Sequence, residues 1–172
     1  MPLQRILFVM LLMAQSAHAS FFVDSPDKSI DEKMRDCFSD AQCALQAQVL
    51  VPVFARQRAM DALEVRQKLN NCLNPDHNMS FCASYELFAL RYELRGMIQQ
   101  YLQKNPGNAV ARQVPDLDTW QLRASKICAG KIRKTMPDAS GLFRSELVIA
   151  CEIKATKSMV LHLNAQSLHH KP

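Results

Sequence analysis

The chain has 172 residues and a formal net charge of +5, and 48% of its residues are hydrophobic. This composition excludes a disordered chain, and the length is sufficient for one domain with a real core. Only 4 glycines are present, too few for a β-rich domain with many tight turns. Abundant alanine, leucine, glutamine, lysine and arginine favour helix. The sequence therefore predicts an all-α fold, a small disulfide-stapled bundle of about four to five helices.

The N-terminus has the three parts of a secretory signal peptide. Arg5 supplies a positive start, residues 6–13 form a short uncharged apolar run, and Ala17-His18-Ala19 is a small-x-small cleavage site. The apolar run is shorter than the roughly 20 residues that a membrane-spanning helix needs. We expect cleavage after Ala19 and export of the protein, to the periplasm or as a secreted protein.

Residues 20–172 are expected to form a single helical domain. Residues 20–33 are predicted to be a mobile arm, because the segment is mixed in character and contains Pro26. Residues 166–172 are predicted to be a frayed tail. No later stretch is apolar enough to span a membrane.

All six cysteines follow the expected cleavage point, namely Cys37, Cys43, Cys72, Cys82, Cys128 and Cys151. An even number in an exported chain predicts three disulfides, although six cysteines allow 15 pairings and the sequence alone does not choose among them. The alternatives are free buried thiols or a metal site. A zinc site usually has cysteines paired at C-x₂₋₄-C spacing, and the chain has none.

A helix start predicted between Cys37 and Cys43 favours pairing of these two cysteines. Residues six apart in one helix lie about 9 Å apart along its axis, whereas a disulfide needs Cα atoms within about 7 Å. Ser39 and Gln42 match a capping box, which would begin a helix between the two cysteines.

Most of residues 42–71 has helical character, with Pro52 expected to begin a new helix or to kink the chain. Val49 to Phe54 is apolar on all sides and is predicted to be central to the core. Residues 70–78 form a turn, and a disulfide between the flanking Cys72 and Cys82 would pin a helical hairpin.

The strongest helix is predicted over residues 80–104, where apolar side chains recur at helical spacing. Its aromatic stripe is expected to be core rather than a ligand site. The stripe consists of Phe81, Tyr85, Phe88 and Tyr92, beside Leu87, Leu94, Ile98 and Tyr101.

Two more helices are predicted near the C-terminus. The first is capped by Asp116, Asp118 or Thr119 and buries a stripe that includes Cys128. The second follows Gly141 and carries two adjoining apolar stripes, so we expect it to be well buried. Those stripes are Leu142, Ile149, Ile153 and Val160, and Phe143, Leu147, Cys151 and Leu161. A disulfide between Cys128 and Cys151 would clamp the two helices together.

These last helices resemble the LprI-like domain family, small exported bacterial helical domains named for a mycobacterial lysozyme-inhibitor lipoprotein. The resemblance is clearest over residues 116–165, and Cys37-x₅-Cys43 is similar to the family's early cysteine pair. The matching positions are Trp120, Arg123, Cys128, Cys151, Thr156 and Leu161. The chain departs from the family pattern at Lys157, where arginine is usual nearby, and at the Cys72/Cys82 hairpin. The resemblance implies a helical, disulfide-stapled, exported bacterial domain of the lysozyme-inhibitor-like type, with lysozyme as one candidate partner.

The chain carries no enzyme signature, and we expect no catalytic residue, no metal site and no cofactor. G-x-S-x-G, H-E-x-x-H, P-loop and dinucleotide-binding motifs are absent from the sequence, and so is the redox motif C-x-x-C. The pair His169-His170 lies in the predicted frayed tail, where a solvated end is the simpler interpretation.

A basic stripe on the helix after Asp116 is the candidate for partner binding. Arg123, Lys126, Arg133 and Lys134 fall within about a third of a turn of an ideal helix. The stripe is either the ordinary solvated face of an amphipathic helix or a site for an acidic protein or an anionic envelope polymer. Export argues against nucleic acid as the partner.

The two functional hypotheses make opposite demands on charge. Lysozymes of the common type are strongly basic, so a basic inhibitor lacks electrostatic steering toward them unless the acidic segment 24–40 supplies it. The alternative is a periplasmic structural or assembly factor that uses the basic helix.

Overall fold

The computed structural model describes residues 28–73, 79–106 and 114–169, except for the side chains of 31 and 167–169. These residues form six α-helices and no strand, so the all-α fold is confirmed. The helices are α1 (Ile30–Ser39), α2 (Ala41–Arg58), α3 (Ala62–Asn71), α4 (Met79–Lys104), α5 (Leu117–Thr135) and α6 (Gly141–His169). None of them has the length and apolar character that crossing a bilayer requires.

Helix α4 is the centre of the fold, because it contacts each of the other five helices. Its start at Met79 and its end at Lys104 agree with the predicted helix to within a residue. Buried side chains occur around most of its circumference, as an element surrounded by neighbours requires.

Two apolar clusters pack against different halves of α4. The first joins the half before Arg91 to α1, α2 and α3, with Ile153 of α6 at its edge. The second joins the half after Arg91 to α5 and α6, and it consists of Leu94, Ile98, Tyr101, Leu117, Val160 and Leu163. Since Leu117 and Leu163 lie at opposite ends of the α5–α6 hairpin in sequence, these two helices run antiparallel.

An aromatic group forms the middle of the first cluster. The ring of Phe54 on α2 makes edge-to-face contacts with Tyr85, Phe88 and Phe81, with centroids 4.9, 5.1 and 5.8 Å away. Such pairs add about 0.5–1.5 kcal/mol beyond the area that they bury. The Tyr85 hydroxyl donates a hydrogen bond to the backbone carbonyl of Ala47. The aromatic stripe is therefore core, except for Tyr92, which is half exposed.

The boundary between α1 and α2 lies where the disulfide requires it, but its cap differs from the prediction. Asp40, rather than Ser39, is the N-cap of α2, and its carboxylate accepts a hydrogen bond from the Cys43 N–H at 2.8 Å. Ser39 belongs to the last turn of α1, where its hydroxyl donates to the Asp36 carbonyl. The predicted capping box at Ser39 was thus wrong by one residue.

Helix α2 runs through Pro52 instead of beginning anew there, and it ends at Arg58, followed by the C-cap Ala59, which has a left-handed φ of 51°. Val49 and Val53, expected in the core, are 66% and 41% exposed. Only the opposite side of α2 faces α4, so an all-apolar run buries about half of its side chains. A full helix α1 and the break at Ala59 account for six helices where about four to five were predicted.

Where the structure describes them, the segments predicted to be an arm and a tail both contain helix. Helix α1 begins at Ile30, inside the segment assigned to the arm, because Ser29 and Glu32 form a reciprocal capping box there. Helix α6 continues to His169, inside the segment assigned to the tail. The predicted signal peptide, residues 1–19, lies outside the described residues.

The three disulfides join the cysteines in the pairs proposed above, of which Cys37–Cys43 was the one favoured by its spacing. Cα–Cα distances are 5.1 Å for Cys37–Cys43, 5.9 Å for Cys72–Cys82 and 5.7 Å for Cys128–Cys151. The second bond links the end of α3 to the start of α4, and the third links α5 to α6. Each bond therefore fixes how one helix enters the bundle relative to the next.

Removal of the α5–α6 disulfide should cost more stability than removal of the α1–α2 disulfide. Cys128 and Cys151 are 23 residues apart, against 6 for Cys37 and Cys43. Loop-closure entropy then predicts losses of about 3.5 and about 2.4 kcal/mol for the two double alanine variants. Urea denaturation of both variants measures this difference, and an equal or reversed order would contradict it.

Candidate functional site

The predicted basic stripe lies on the outward side of α5. The helix begins at its N-cap Asp116, whose carboxylate accepts a hydrogen bond from the Thr119 N–H at 2.9 Å. This bond holds the pKa of Asp116 below its usual range. Of the three predicted cap candidates, Asp116 is the one that serves.

All four side chains of the stripe are exposed. On the observed helix, Arg133, Lys126, Arg123 and Lys134 span about 100° of its circumference, at 100° per residue. We call these four residues the basic face. The buried side of α5, with Leu117, Ala124 and Cys128, points the other way.

The charges of the basic face are not neutralised within the part of the chain that the structure describes. None of its four cations has a carboxylate within ion-pair distance there. Residues 117–135 contain five cations, counting Lys131 outside the basic face, and one acid, Asp118 in the first turn, a difference of +4. Unpaired cations on one side of a fixed helix attract anions and raise their local concentration.

Two apolar side chains flank the basic face. Leu122 is 72% exposed and Ile127 is 69% exposed. Each lies about 20° beyond one edge of the basic face on the helical wheel. Gly130 lies between them and contributes no side chain. An anion that binds here therefore meets positive charge in the middle and apolar surface at the margins.

A layer of buried charge between α4 and α6 was not anticipated from the sequence. The Lys157 ammonium lies 2.7 Å from a carboxylate oxygen of Glu86, and their side chains are 10% and 0% exposed. The Arg91 guanidinium lies 2.6 Å from a carboxylate oxygen of Glu152. Thr156, also buried, donates its hydroxyl to the Glu152 carbonyl at 2.8 Å. Two ion pairs thus cross the same helix–helix contact.

Burial and ion pairing shift the pKa values of Glu86 and Arg91 in opposite directions. Burial raises the pKa of Glu86, and Lys157 and Lys33 counteract that rise. The second Glu86 oxygen, Oε2, has no hydrogen-bond partner among the described residues. Burial likewise lowers the pKa of Arg91, opposed by Glu152.

Clusters of buried titratable groups are typical of active sites, so among the described residues this layer is where catalysis would be sought. Glu86, however, is fully buried, where a substrate does not reach it, and its charge is already paired with Lys157. Among the described residues no group of three or more His, Cys, Asp or Glu side chains is arranged to hold a metal ion. The layer is better explained as a structural contact in which two ion pairs hold α4 and α6 together.

A signal for the layer is present in the sequence. On α4, the buried residues Cys82, Leu90, Leu94 and Ile98 leave a gap at position 86 in a series with a step of four. Glu86 fills that gap. On α6, Lys157 occupies the corresponding position between the buried Ile153 and Val160. A charged residue within an apolar stripe on each of two helices indicates a buried pair.

The six positions that carry the family resemblance do not form one surface. Cys128 and Cys151 are bonded to each other, Thr156 is buried and Trp120 is half-buried. Arg123 and Leu161 are exposed. The pattern therefore combines framework positions with surface positions.

No family model, curated protein or solved structure matches this chain. The LprI-like resemblance accordingly stays a prediction based on its residues.

Replacement of Lys157 by methionine should destabilise the protein by about 3–5 kcal/mol at neutral pH, because it leaves the Glu86 carboxylate buried without a counter-ion. The double variant Glu86→Met/Lys157→Met should recover most of that loss. Lys68→Met, which breaks an exposed pair with Glu64, is the matched control and should cost only about 0–1 kcal/mol. Chemical denaturation measures all three.

The loss in Lys157→Met should also depend on pH. The unfolded Glu86 carboxyl ionises near its ordinary pKa of 4.5, and burial raises the folded value. The stability that Glu86 contributes is therefore greatest below pH 4.5 and declines as pH rises through the folded pKa. Without Lys157 this decline is larger. The difference in the free energy of unfolding between Lys157→Met and wild type should therefore be smaller at acid pH than at neutral pH. A gap that stays constant with pH would contradict a buried, unpaired carboxylate.

Proposed function

We propose that this chain is an exported, non-catalytic binding protein of the bacterial envelope that holds an anionic partner on the basic face of α5. The observation that carries the proposal is the placement of four exposed, unpaired cations on one side of α5, which a disulfide holds to α6. A solvated face usually mixes both signs of charge, whereas this one carries a single sign.

The rigidity of the helix favours binding. Because the opposite side of α5 is buried and bonded through Cys128, the cations are held outward before a partner arrives. A partner then finds a surface whose backbone is already ordered, which lowers the entropy cost of association. Exposed cations also accelerate encounter with an anion at low ionic strength.

The disulfides support the exported location. Three bonds and no free cysteine among the described residues are typical of an oxidising compartment. Anionic polymers, acidic proteins and phosphate-bearing lipids all occur in the bacterial envelope, whereas nucleic acid is not the expected partner there.

Reversal of three charges tests this proposal. The variant Arg123→Glu/Lys126→Glu/Arg133→Glu should lose binding to dextran sulfate, a soluble polyanion, by roughly 100-fold, at about 1 kcal/mol per cation. The control Arg56→Glu/Arg66→Glu/Arg95→Glu changes the net charge equally at exposed positions on other helices. It should bind within a few-fold of wild type, and equal losses in both variants would remove the basic face from the function.

Lysozyme inhibition is the second candidate, and the observation that favours it is the bonded pair Cys37–Cys43, which the family resemblance implies. Two acidic residues of this chain, Asp36 and Asp40, are exposed beside that cysteine pair. If the resemblance holds, purified protein in molar excess should slow cell-wall lysis by lysozyme. Lysis at the rate of the protein-free reaction would remove inhibition from consideration.

A further inference from the structure

The tip of the α5–α6 hairpin projects beyond the core. Residues 129–151 are all described, and not one of them is buried, whereas Cys128 and Glu152 on either side are. Helix α6 contacts α4 and α5 and none of α1, α2 and α3. Beyond the disulfide, Ile149 still packs against the first cluster, whereas residues 133–143 are exposed apart from the half-buried Ala139, so it is the tip of the hairpin that projects from the core.

Large apolar side chains are exposed at this tip. Leu142 is 69% exposed, Phe143 is 53% exposed and Met136 is 43% exposed. Leu142 and Phe143 were predicted to lie in the buried stripes of α6, and for these two residues, as for Leu161, which is 52% exposed, that prediction was wrong. The first three residues of α6, 141–143, are all exposed. Adjacent exposed apolar residues of this kind mark a site that binds another protein or a membrane.

The turn that presents them is held in one shape. Gly141 has a φ of +39°, in the region that favours glycine, and it begins α6 directly after the turn. Arg144 donates from its Nη2 atom to the Pro137 carbonyl at 2.9 Å, and the Ala139 N–H donates to the Met136 carbonyl. The apolar side chains are therefore presented by a closed turn.

Cations stand directly behind the apolar tip. Lys131, Arg133 and Lys134 lie within about 8 Å of Met136 along the axis of α5, at 1.5 Å per residue. Residues 129–151 hold four cations, counting Arg144, against the acids Asp138 and Glu146, a difference of +2. Apolar residues buried about 5–10 Å into an interface, with cations at the level of the phosphates, are the pattern of surface-bound amphipathic segments.

We propose that the tip of the α5–α6 hairpin inserts into an anionic lipid surface, with Leu142, Phe143 and Met136 among the acyl chains and Arg133 and Lys134 at the phosphates. This inference rests on the proposed function and names the anionic partner as lipid. Exposed apolar side chains with cations behind them match insertion into a bilayer surface. Its positive charge opposes association with a second copy of the same surface.

The first test compares vesicles of phosphatidylcholine with and without phosphatidylglycerol. Leu142→Ser/Phe143→Ser should weaken binding to the anionic vesicles by at least about tenfold, because two apolar side chains no longer enter the lipid. The same variant should bind dextran sulfate as wild type does. Leu45→Ser/Val49→Ser, which changes two equally exposed apolar residues on α2, is the matched control and should leave vesicle binding unchanged.

The second test separates insertion of the tip from binding along the whole basic face. Arg123 lies about 20 Å from Met136 along α5, well beyond the roughly 8 Å over which salt screens charges. Arg133→Glu/Lys134→Glu should therefore weaken vesicle binding more than Arg123→Glu/Lys126→Glu. Equal losses would mean that α5 lies flat on the surface, which overturns insertion of the tip.

The third test places a reporter in the tip. Trp120 is the one tryptophan of the chain, so Phe143→Trp adds a second emitter at the proposed depth. Brominated lipids should quench the added fluorescence on binding and should leave Trp120 in the wild-type protein largely unaffected. Vesicle binding without this quenching overturns the proposal.

The remaining outcomes identify other occupants. If wild type binds dextran sulfate through the basic face but does not bind anionic vesicles, the lipid assignment fails while the proposed function stands. If Leu142→Ser/Phe143→Ser abolishes a dimer that forms without lipid, the tip is an interface between copies. If charge reversal on α5 changes neither binding to dextran sulfate nor binding to vesicles, the proposed function itself fails.

Discussion

The arrangement of the helices depends on the charge layer between α4 and α6. Burial of Glu86 and Lys157 is costly, and their attraction offsets that cost only when ammonium and carboxylate meet at hydrogen-bond distance. Here they meet at 2.7 Å. A helix packed by apolar contacts alone tolerates small displacements, whereas a displacement by one turn would separate this pair. We infer that the pair selects the register of α6 on α4 more than it adds stability.

The register of α6 determines where the basic face points. Helix α5 is bonded to α6 through Cys128–Cys151 and packs against α4 and α6 through Leu117, and Ala124 on the same side is buried. Since that side of α5 is committed to the interior, the side with the four cations is left to solvent. The orientation of the exposed charges is thus a consequence of a buried charge pair on two other helices.

The molecule divides between a packed scaffold and a projecting end. Around the first half of α4, the aromatic group centred on Phe54 packs α2 against α4, one disulfide joins α1 to α2, and a second joins α3 to α4. At the far end of the α5–α6 hairpin, past Ile149, which still packs against the first cluster, the side chains are mostly exposed. Surfaces for partners are commonly found on such extensions, because the side chains there are free of packing constraints.

Much of the framework followed from local rules in the sequence. The span of α4 follows from its helical spacing of apolar residues, and the pairing of Cys37 with Cys43 follows from the distance that a disulfide permits. The observed N-cap of α2, Asp40, lies one residue after the predicted N-cap, Ser39. Neighbouring short polar side chains at a helix start can each accept from the same N–H groups, so the sequence does not choose between them. A sequence pattern fixes the type of element better than its first residue.

What the sequence by itself determined is which residues share a side of a helix, because that depends only on spacing along the chain. Whether a neighbouring helix covers that side was decided by the tertiary structure, and so Val49 and Leu142 are exposed despite their apolar stripes. The same holds for Glu86 and Lys157, whose burial depends on a partner 71 residues away. Spacing describes one helix, whereas burial is a property of at least two.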